Sequence, residues 1–410
     1  MTAKLQRLEV TRKRGTRLPL LGNSAHRWLV SNSHEALFLK RRWLLPLSLL
    51  CGLVASSACE APHRTGKPAP STGAERTIVV VNGRSAASDS VARYYVAKRG
   101  IDASHVVRID VPATDEIGDI EFRTSVVAPV RSAIEALPVR IDFIVLTTGV
   151  PIRVARKNGY SVDALLAGMN LPIPPMVGLD TAWLRRYRNP YFNARVPFNS
   201  DQFGMFLVTR LDCAQLSDCF ALVDRATNAR PVRGPFYFDA APLRRGNDGY
   251  AEMNQRLYAG ALLIRMLGYE SALDSSARFV APPVPVMGYV SWGSNDAQYD
   301  STAYHVVRFL PGALAETFVS TSARTFGPVT GGQSRIVDLI AQGVTGVKGY
   351  VSEPYTYALA KPEILFDRYL RGATLAEAYY AASPMILWKD LVIGDPLCAP
   401  YALVMGTLVP

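Results

Sequence analysis

The 410-residue sequence is poor in histidine and cysteine, with five of each. It contains no H-E-x-x-H and no Cys/His cluster, which excludes the common zinc sites. G-x-G-x-x-G and G-x-x-x-x-G-K-[ST] are absent, so neither common phosphate-cradling loop is present. The G-x-S-x-G nucleophile elbow is also missing. No cofactor and no metal are therefore expected. Charge is sparse at 19%, and the net +11 is concentrated at one end. Residues 1–42 hold ten Lys/Arg against two Asp/Glu, while 59–410 carry only 35 − 32 = +3. That balance argues against a nucleic-acid partner. The apolar content of 49% is ample for a large core.

The amino-terminal region reads as an export signal. Lys40-Arg41-Arg42 precedes an apolar run from Trp43 to Ala55, followed by Ser56-Ser57-Ala58-Cys59. This is a positive region, an apolar region and a small-residue cleavage site, too short for a membrane span. Ala58-Cys59 matches a lipoprotein signal, with Cys59 the lipidated residue and a lipid anchor the membrane partner. Ser56 departs from the aliphatic residue usual three places earlier, so ordinary cleavage and secretion stay open. The organisation expected is a leader over 1–59, a Pro/Gly-rich tether over 60–76 and one domain over 77–402. The address is an outer-membrane or periplasmic lipoprotein, or the exterior. In an exported protein Cys213 and Cys219 read as a disulfide. Cys398 is left over as a buried thiol or a reactive one.

Beyond residue 76, apolar runs alternate with helical patterns. Residues 77–81 form a strand, Asn82-Gly83-Arg84-Ser85 a turn, and Ser88 is expected to cap a helix that Gly100 ends. Residues 106–111 complete a βαβ unit, and right-handed crossover makes that sheet parallel. The clearest strand, 141–147, exits through Thr148-Gly149, with Arg153 close behind. Arg153 either binds an anionic ligand or pairs with a surface carboxylate. Residues 168–200, rich in Pro, Asn, Arg and aromatics, read as a functional loop. There Trp183, Tyr187, Tyr191 and Phe192 either line a groove or cover the core. The alternation continues to Cys398, giving an α/β fold: a mostly parallel, doubly wound sheet with helices on both faces.

The focal stretch is the strand 284–290 and its exit, Ser291-Trp292-Gly293-Ser294-Asn295-Asp296. Ligands sit at carboxyl ends of strands in such sheets, although Ser, Asn and Asp also suit an ordinary turn. Thr148-Gly149, Ser291–Asp296, Ser320–Arg324 and Ser352-Glu353 share one rim if their strands are neighbours. Candidate nucleophiles are Ser291, Ser294 and Ser322, which need a base within reach. Asp296 is a candidate acid or base. His305, a dozen residues on, is the histidine best placed to serve, although a surface role suits it equally. Trp292, Asn295, Arg324, Glu353 and Arg153 are candidate ligand-binding residues. Asp163, Asp296, Asp300, Glu316 and Glu353 are scattered carboxylates.

A set of motifs carries a resemblance. These include Asn82…Ser88…Tyr94-Tyr95…Arg99-Gly100-Ile101, Thr148-Gly149-Val150-Pro151, Arg210-Leu211-Asp212, Gly288…Asp296, Ser322-Ala323-Arg324-Thr325 and Gly394-Asp395-Pro396-Leu397-Cys398. Together they resemble, over about residues 77–402, an exported bacterial family of unassigned activity found in species with exosortase sorting systems. More distantly, the layout is similar to the gingipain-type, caspase-like cysteine peptidases. That resemblance implies a catalytic His after the strand 284–290 and a Cys after the next strand. Here those places read Ser291-Trp292-Gly293 and Ser320-Thr321-Ser322, so both residue types are absent. The function expected is binding of a peptide or glycan at the rim of a caspase-like domain. The alternatives are a hydrolase or transpeptidase-like enzyme using Ser294, Ser322 or Cys398, and a structural surface protein.

Overall fold

The computed structural model describes residues 72–155, 159–172, 186–242, 246 and 248–402. The leader, Cys59, most of the 60–76 segment and Trp183 lie outside the described residues. Ten strands form one sheet: β1 (Thr77–Asn82), β2 (Val106–Ile109), β4 (Phe143–Thr147), β7 (Leu207–Leu211), β8 (Phe236–Asp239), β9 (Ser271–Asp274), β10 (Val286–Ser291), β11 (Phe309–Thr317), β12 (Gly346–Tyr350) and β13 (Asp390–Ile393). Three short strands, β3 (Glu116–Gly118), β5 (Arg153–Ala155) and β6 (Tyr160–Ser161), make a small second sheet.

The apolar runs are continuous because both faces of the large sheet are covered. Along β1, Ile78 and Val80 point into one core and Val79 and Val81 into the other. The helices Ala86–Arg99, Leu216–Thr227 and Ile336–Ala341 pack on one face. Ala128–Ala136, Gly249–Met266, Pro362–Leu370 and Leu375–Ala382 pack on the other. Ser85, not Ser88, caps the first helix, accepting from Ser88 N at 3.2 Å. Ser88 is buried instead, its hydroxyl accepting from Asn82 N (2.8 Å) and meeting Thr147 Oγ1 (2.6 Å). Gly100 ends this helix at φ 63°, a conformation a side chain would oppose.

The strand order is β2-β1-β4-β7-β13-β12-β11-β10-β8-β9. β13 meets β7 at Arg210–Ile393 and runs antiparallel to β12. It starts beside Ser161, at the exit edge of β4 and β7, and ends where Asp395 accepts from Tyr95 and Arg99 near the end of the helix after β1, so it alone runs against the other nine strands. Exits of β1, β4 and β7 and those of β8, β10, β11 and β12 therefore share one edge. Thr148-Gly149 lies on that edge, separated from β12 by β7 and β13. The chain after it runs along this edge to the rim: Ser161 N donates to Trp388 O (3.0 Å), and Ser352 Oγ donates to Gly159 O (2.7 Å). Arg153 reaches the Arg324 carbonyl (2.8 Å) by the same path. Of the loop aromatics, Tyr187 and Tyr191 are buried and cover the core.

Cys213 and Cys219 form a disulfide just after β7, with a Cα–Cα distance of 5.5 Å. Cys398 is buried against the Tyr369 hydroxyl at 3.5 Å, and burial pushes its thiol up to about 12. A thiol in that state is a poor nucleophile.

Candidate functional site

Register brings the strand ends together. Ser291 lies beside Asp239 of β8 on one side and Thr317 of β11 on the other, and Asp239 also pairs with Asp274 of β9. The turn after β10 closes on itself: Ser291 Oγ accepts from Gly293 N at 3.2 Å. Gly293 sits at φ 48°, and a Cβ there would meet Ser334 Oγ and Val319 Cγ2 at 2.8 Å. Only glycine fits both constraints.

The polar residues that follow are occupied by the scaffold. Ser294 N donates to Ser334 Oγ (3.1 Å), and Ser334 N donates back to Ser294 Oγ (2.9 Å). Asn295 Nδ2 donates to Phe318 O (2.6 Å), while its Oδ1 accepts from Gln333 Nε2 (2.9 Å). Gln333 Oε1 in turn accepts from Thr321 N and Oγ1. Arg324 donates to the carbonyls of Thr321, Gln333 and Gly331, tying the same loop. Burial and the neighbouring Arg335 lower its pKa. Ser322 is fully buried, accepting from Tyr350 N at 3.3 Å. Asp296 accepts from Gln298 N (2.8 Å). These are turn-closing contacts, the plainer of the two roles such residues can fill.

His305 does not join them. It sits on the helix Ser301–His305 with its side chain 47% exposed, Nδ1 at 2.6 Å from Ser301 O and Nε2 at 3.6 Å from Asp338. His105 is buried at the start of β2, bonded to Thr77 O. Arg153 pairs with Glu116 (3.2 Å) besides holding Arg324 O. Among the described residues, no group of three or more His, Cys, Asp or Glu is arranged to hold a metal.

Three of the expected binding residues do converge. Trp292, Asn295 and Glu353 line one shallow pocket with Tyr250, Ser320 and Tyr355. Trp292 is its buried wall, donating from Nε1 to Asn254 Oδ1 (3.0 Å) and stacking on Tyr250 at 5.8 Å. Larger cavities lie elsewhere. One of about 370 Å³ is lined by Arg195, Arg368 and Arg371, of which Arg368 is held by Asn193 and Ala194 carbonyls.

Sequence reasoning passed over Asp239 as a site residue. It is 2% exposed, and its Oδ2 is buried without a hydrogen-bond partner. Burial, then the charges of Asp296 and Asp274, push its carboxyl up to about 8. It is therefore a protonated acid at neutral pH. Its only signal in the sequence is an acid closing the run Phe236-Tyr237-Phe238.

No protein-family model matches the chain, and no curated protein matches it. Among solved structures it is similar to the complex of Porphyromonas gingivalis RgpB pro- and mature domains, at 12% identity over 79% of each chain, with a TM-score of 0.43. A second structure, described as that of a protease, aligns at 13% identity over 81% of this chain and 79% of that chain, with a TM-score of 0.45.

Proposed function

We propose that this chain is a caspase-like domain without the Cys–His dyad that binds a peptide or glycan at the rim of β10, β11 and β12. One observation carries the reading. At the places where gingipain-type peptidases hold their His and Cys, this chain has a buried indole bonded to Asn254 and hydroxyls committed to the scaffold. Nucleophilic catalysis needs a base bonded to the nucleophile, and the partners of Ser294 and Ser322 are Ser334 and Tyr350 N. What the rim offers instead is a shallow surface depression of about 10 Å³ with aromatic walls and a few polar groups, suited to surface contact with a chain-like ligand and not to enclosing one. The leader motif supports export, with Cys59 as lipid anchor to the outer membrane or periplasm, or cleavage and secretion. The motif set supports a likeness to the exported family of exosortase-carrying species.

The test is labelling of the folded protein with serine- and cysteine-directed electrophiles, the modified site mapped by mass spectrometry. The expected result is no fold-dependent modification at Ser294, Ser322 or Cys398. Stoichiometric labelling that disappears on unfolding would replace this reading with a hydrolase.

A further inference from the structure

Residues 189–197 belong to the stretch whose composition reads as a functional loop, and the fold holds them firmly. Asn189 Nδ2 donates to Tyr380 O (2.8 Å) and Ser383 O (2.9 Å), and Asn193 N donates to Ala381 O (2.8 Å). The buried Arg368 donates to the carbonyls of Asn193 and Ala194, and Tyr191 Oη donates to Val196 O (2.8 Å). The main chain is thus pinned on both sides of Arg195. The Arg195 side chain itself is exposed, and among the described residues no hydrogen bond or ion pair engages it. Arg195 sits where two cavities meet. One, of about 370 Å³, is walled by Tyr191, Pro197 and Arg371. The other, of about 360 Å³, is lined by Leu262, Leu263 and Met266 of the helix Gly249–Met266 and by Ile364 of the helix Pro362–Leu370. Arg195, Asp367 and Arg368 line both, so the two form one groove, which shares no lining residue with the rim depression.

The two halves offer different chemistry. In the first, Arg195, Arg368 and Arg371 face Asp367 and Glu377, a balance of 3 − 2 = +1. Both carboxylates are spent: Asp367 on Arg368 and on Arg371 Nε (2.8 Å), Glu377 on Phe198 N and Thr374 N (2.9 Å each). The Arg195 guanidinium and the terminal nitrogens of Arg371, whose side chain is 50% exposed, remain as donors. Two such forks receive an anionic head. In the second half Leu262 is 53% exposed and Met266 75%, neighbours on one helix face. Apolar side chains gathered along an exposed groove mark a binding surface. The polar groups there are mostly committed: Glu363 pairs with Arg256 and has its other oxygen buried, and Asn193 Oδ1 accepts from Arg368 (2.7 Å). A peptide main chain laid along it would find few partners to replace those it loses in water. A hydrocarbon chain has none to lose. We propose that this groove is a second ligand site, taking a single acyl chain along Leu262 and Met266 with its anionic head, carboxylate or phosphate, on Arg195 and Arg371. The site is independent of the reading of the rim.

The test is calorimetric titration of the purified protein with octanoate, dodecanoate, dodecyl phosphate and dodecyltrimethylammonium, each below its micellar concentration. A fully buried methylene is worth about fourfold in affinity, so dodecanoate is expected to bind at least about tenfold more tightly than octanoate. The cationic amphiphile is expected to bind at least about tenfold more weakly than dodecanoate. Tighter binding of either dodecanoate or dodecyl phosphate supports the proposal and identifies the head. Arg195→Glu and Met266→Gln alter exposed side chains, so both are expected to melt at the wild-type temperature. Arg195→Glu is expected to lose at least about tenfold in dodecanoate affinity, and Met266→Gln to reduce the advantage of dodecanoate over octanoate. Equal affinity for the two head charges, or dodecanoate affinity unchanged in Arg195→Glu, overturns the proposal and leaves a non-specific apolar surface. Affinity independent of chain length overturns it in favour of a bare anion site. Preference for an acidic hexapeptide overturns it in favour of a peptide, and absence of binding by every probe overturns it outright.

Discussion

Arg210 is the most consequential side chain at the junction of β7 and β13. It is fully buried, yet all five of its N–H groups have acceptors. Nε and one terminal nitrogen grip Asp163 at 3.0 and 2.6 Å. The remaining protons reach Asp212 Oδ2 (3.0 Å), Val150 O (2.9 Å) and Pro151 O (3.1 Å). Burial pulls the guanidinium pKa down, but Asp163 and Asp212 more than offset it and hold it above its ordinary value. Burial pushes Asp212 up despite the arginine beside it. Arg210→Leu would leave two buried carboxylates without their cation and two carbonyls without a donor. Breaking a buried ion pair from one side costs about 3–5 kcal/mol, a large share of a typical total of about 5–15 kcal/mol. Arg210→Lys keeps the charge but supplies three donors in place of five, and is expected to lose about 1–3 kcal/mol. Urea unfolding followed by tryptophan fluorescence measures both. An Arg210→Leu protein within about 1 kcal/mol of wild type would refute the assignment of this cluster as the fastening between residues 150–163 and β7.

Two further outcomes follow from the rim. Asp239 titrates near 8 when folded against about 4 in an unfolded chain, so the folded state holds a proton that the unfolded state releases between those values. Its contribution is full below about pH 4 and falls as pH rises through about 8. Asp239→Asn should therefore flatten the decline in thermal midpoint between pH 5 and pH 8, and an unchanged slope would mean the carboxyl is ionised in the fold. At Gly288, a Cβ would press on the Phe236 and Phe366 rings, which themselves pack edge to face at 5.1 Å. Gly288→Ala is expected to destabilise by about 1–3 kcal/mol through overpacking, and a neutral result by differential scanning calorimetry would show that the rings yield.

The apolar runs of the sequence were sufficient for most strands, because a strand buried on both faces is written as an uninterrupted stretch such as Ile78-Val79-Val80-Val81. The alternation with helical patterns likewise carried the layered α/β class. The spacing of Cys213 and Cys219 in an export context carried their pairing. Strand direction was different. Nothing in Leu391-Val392-Ile393 says that this strand runs against β12, since pairing direction belongs to two strands and not to one. Only tertiary contacts show its course, from Trp388 beside Ser161 at the rim to Asp395 beside Tyr95 and Arg99 at the opposite edge.

The same limit applied to the candidate site. Ser294 and Asn295 have the composition of a ligand site, but their partners, Ser334 and Gln333, lie about forty residues away and are met only when the loop after β11 folds over the turn. Asp239 is an unremarkable strand-end acid until its neighbours become Asp274, Ser291 and Asp296. The strained backbone of Tyr355, at φ 63°, is invisible in Glu353-Pro354-Tyr355, because Lys389 and Trp388 impose it from another element. The sequence alone determined which residues are buried in strands and helices, because burial follows from local apolar pattern. Which polar groups are spent on the scaffold and which face the pocket was decided by tertiary contacts, because hydrogen-bond partners are set by distance in space.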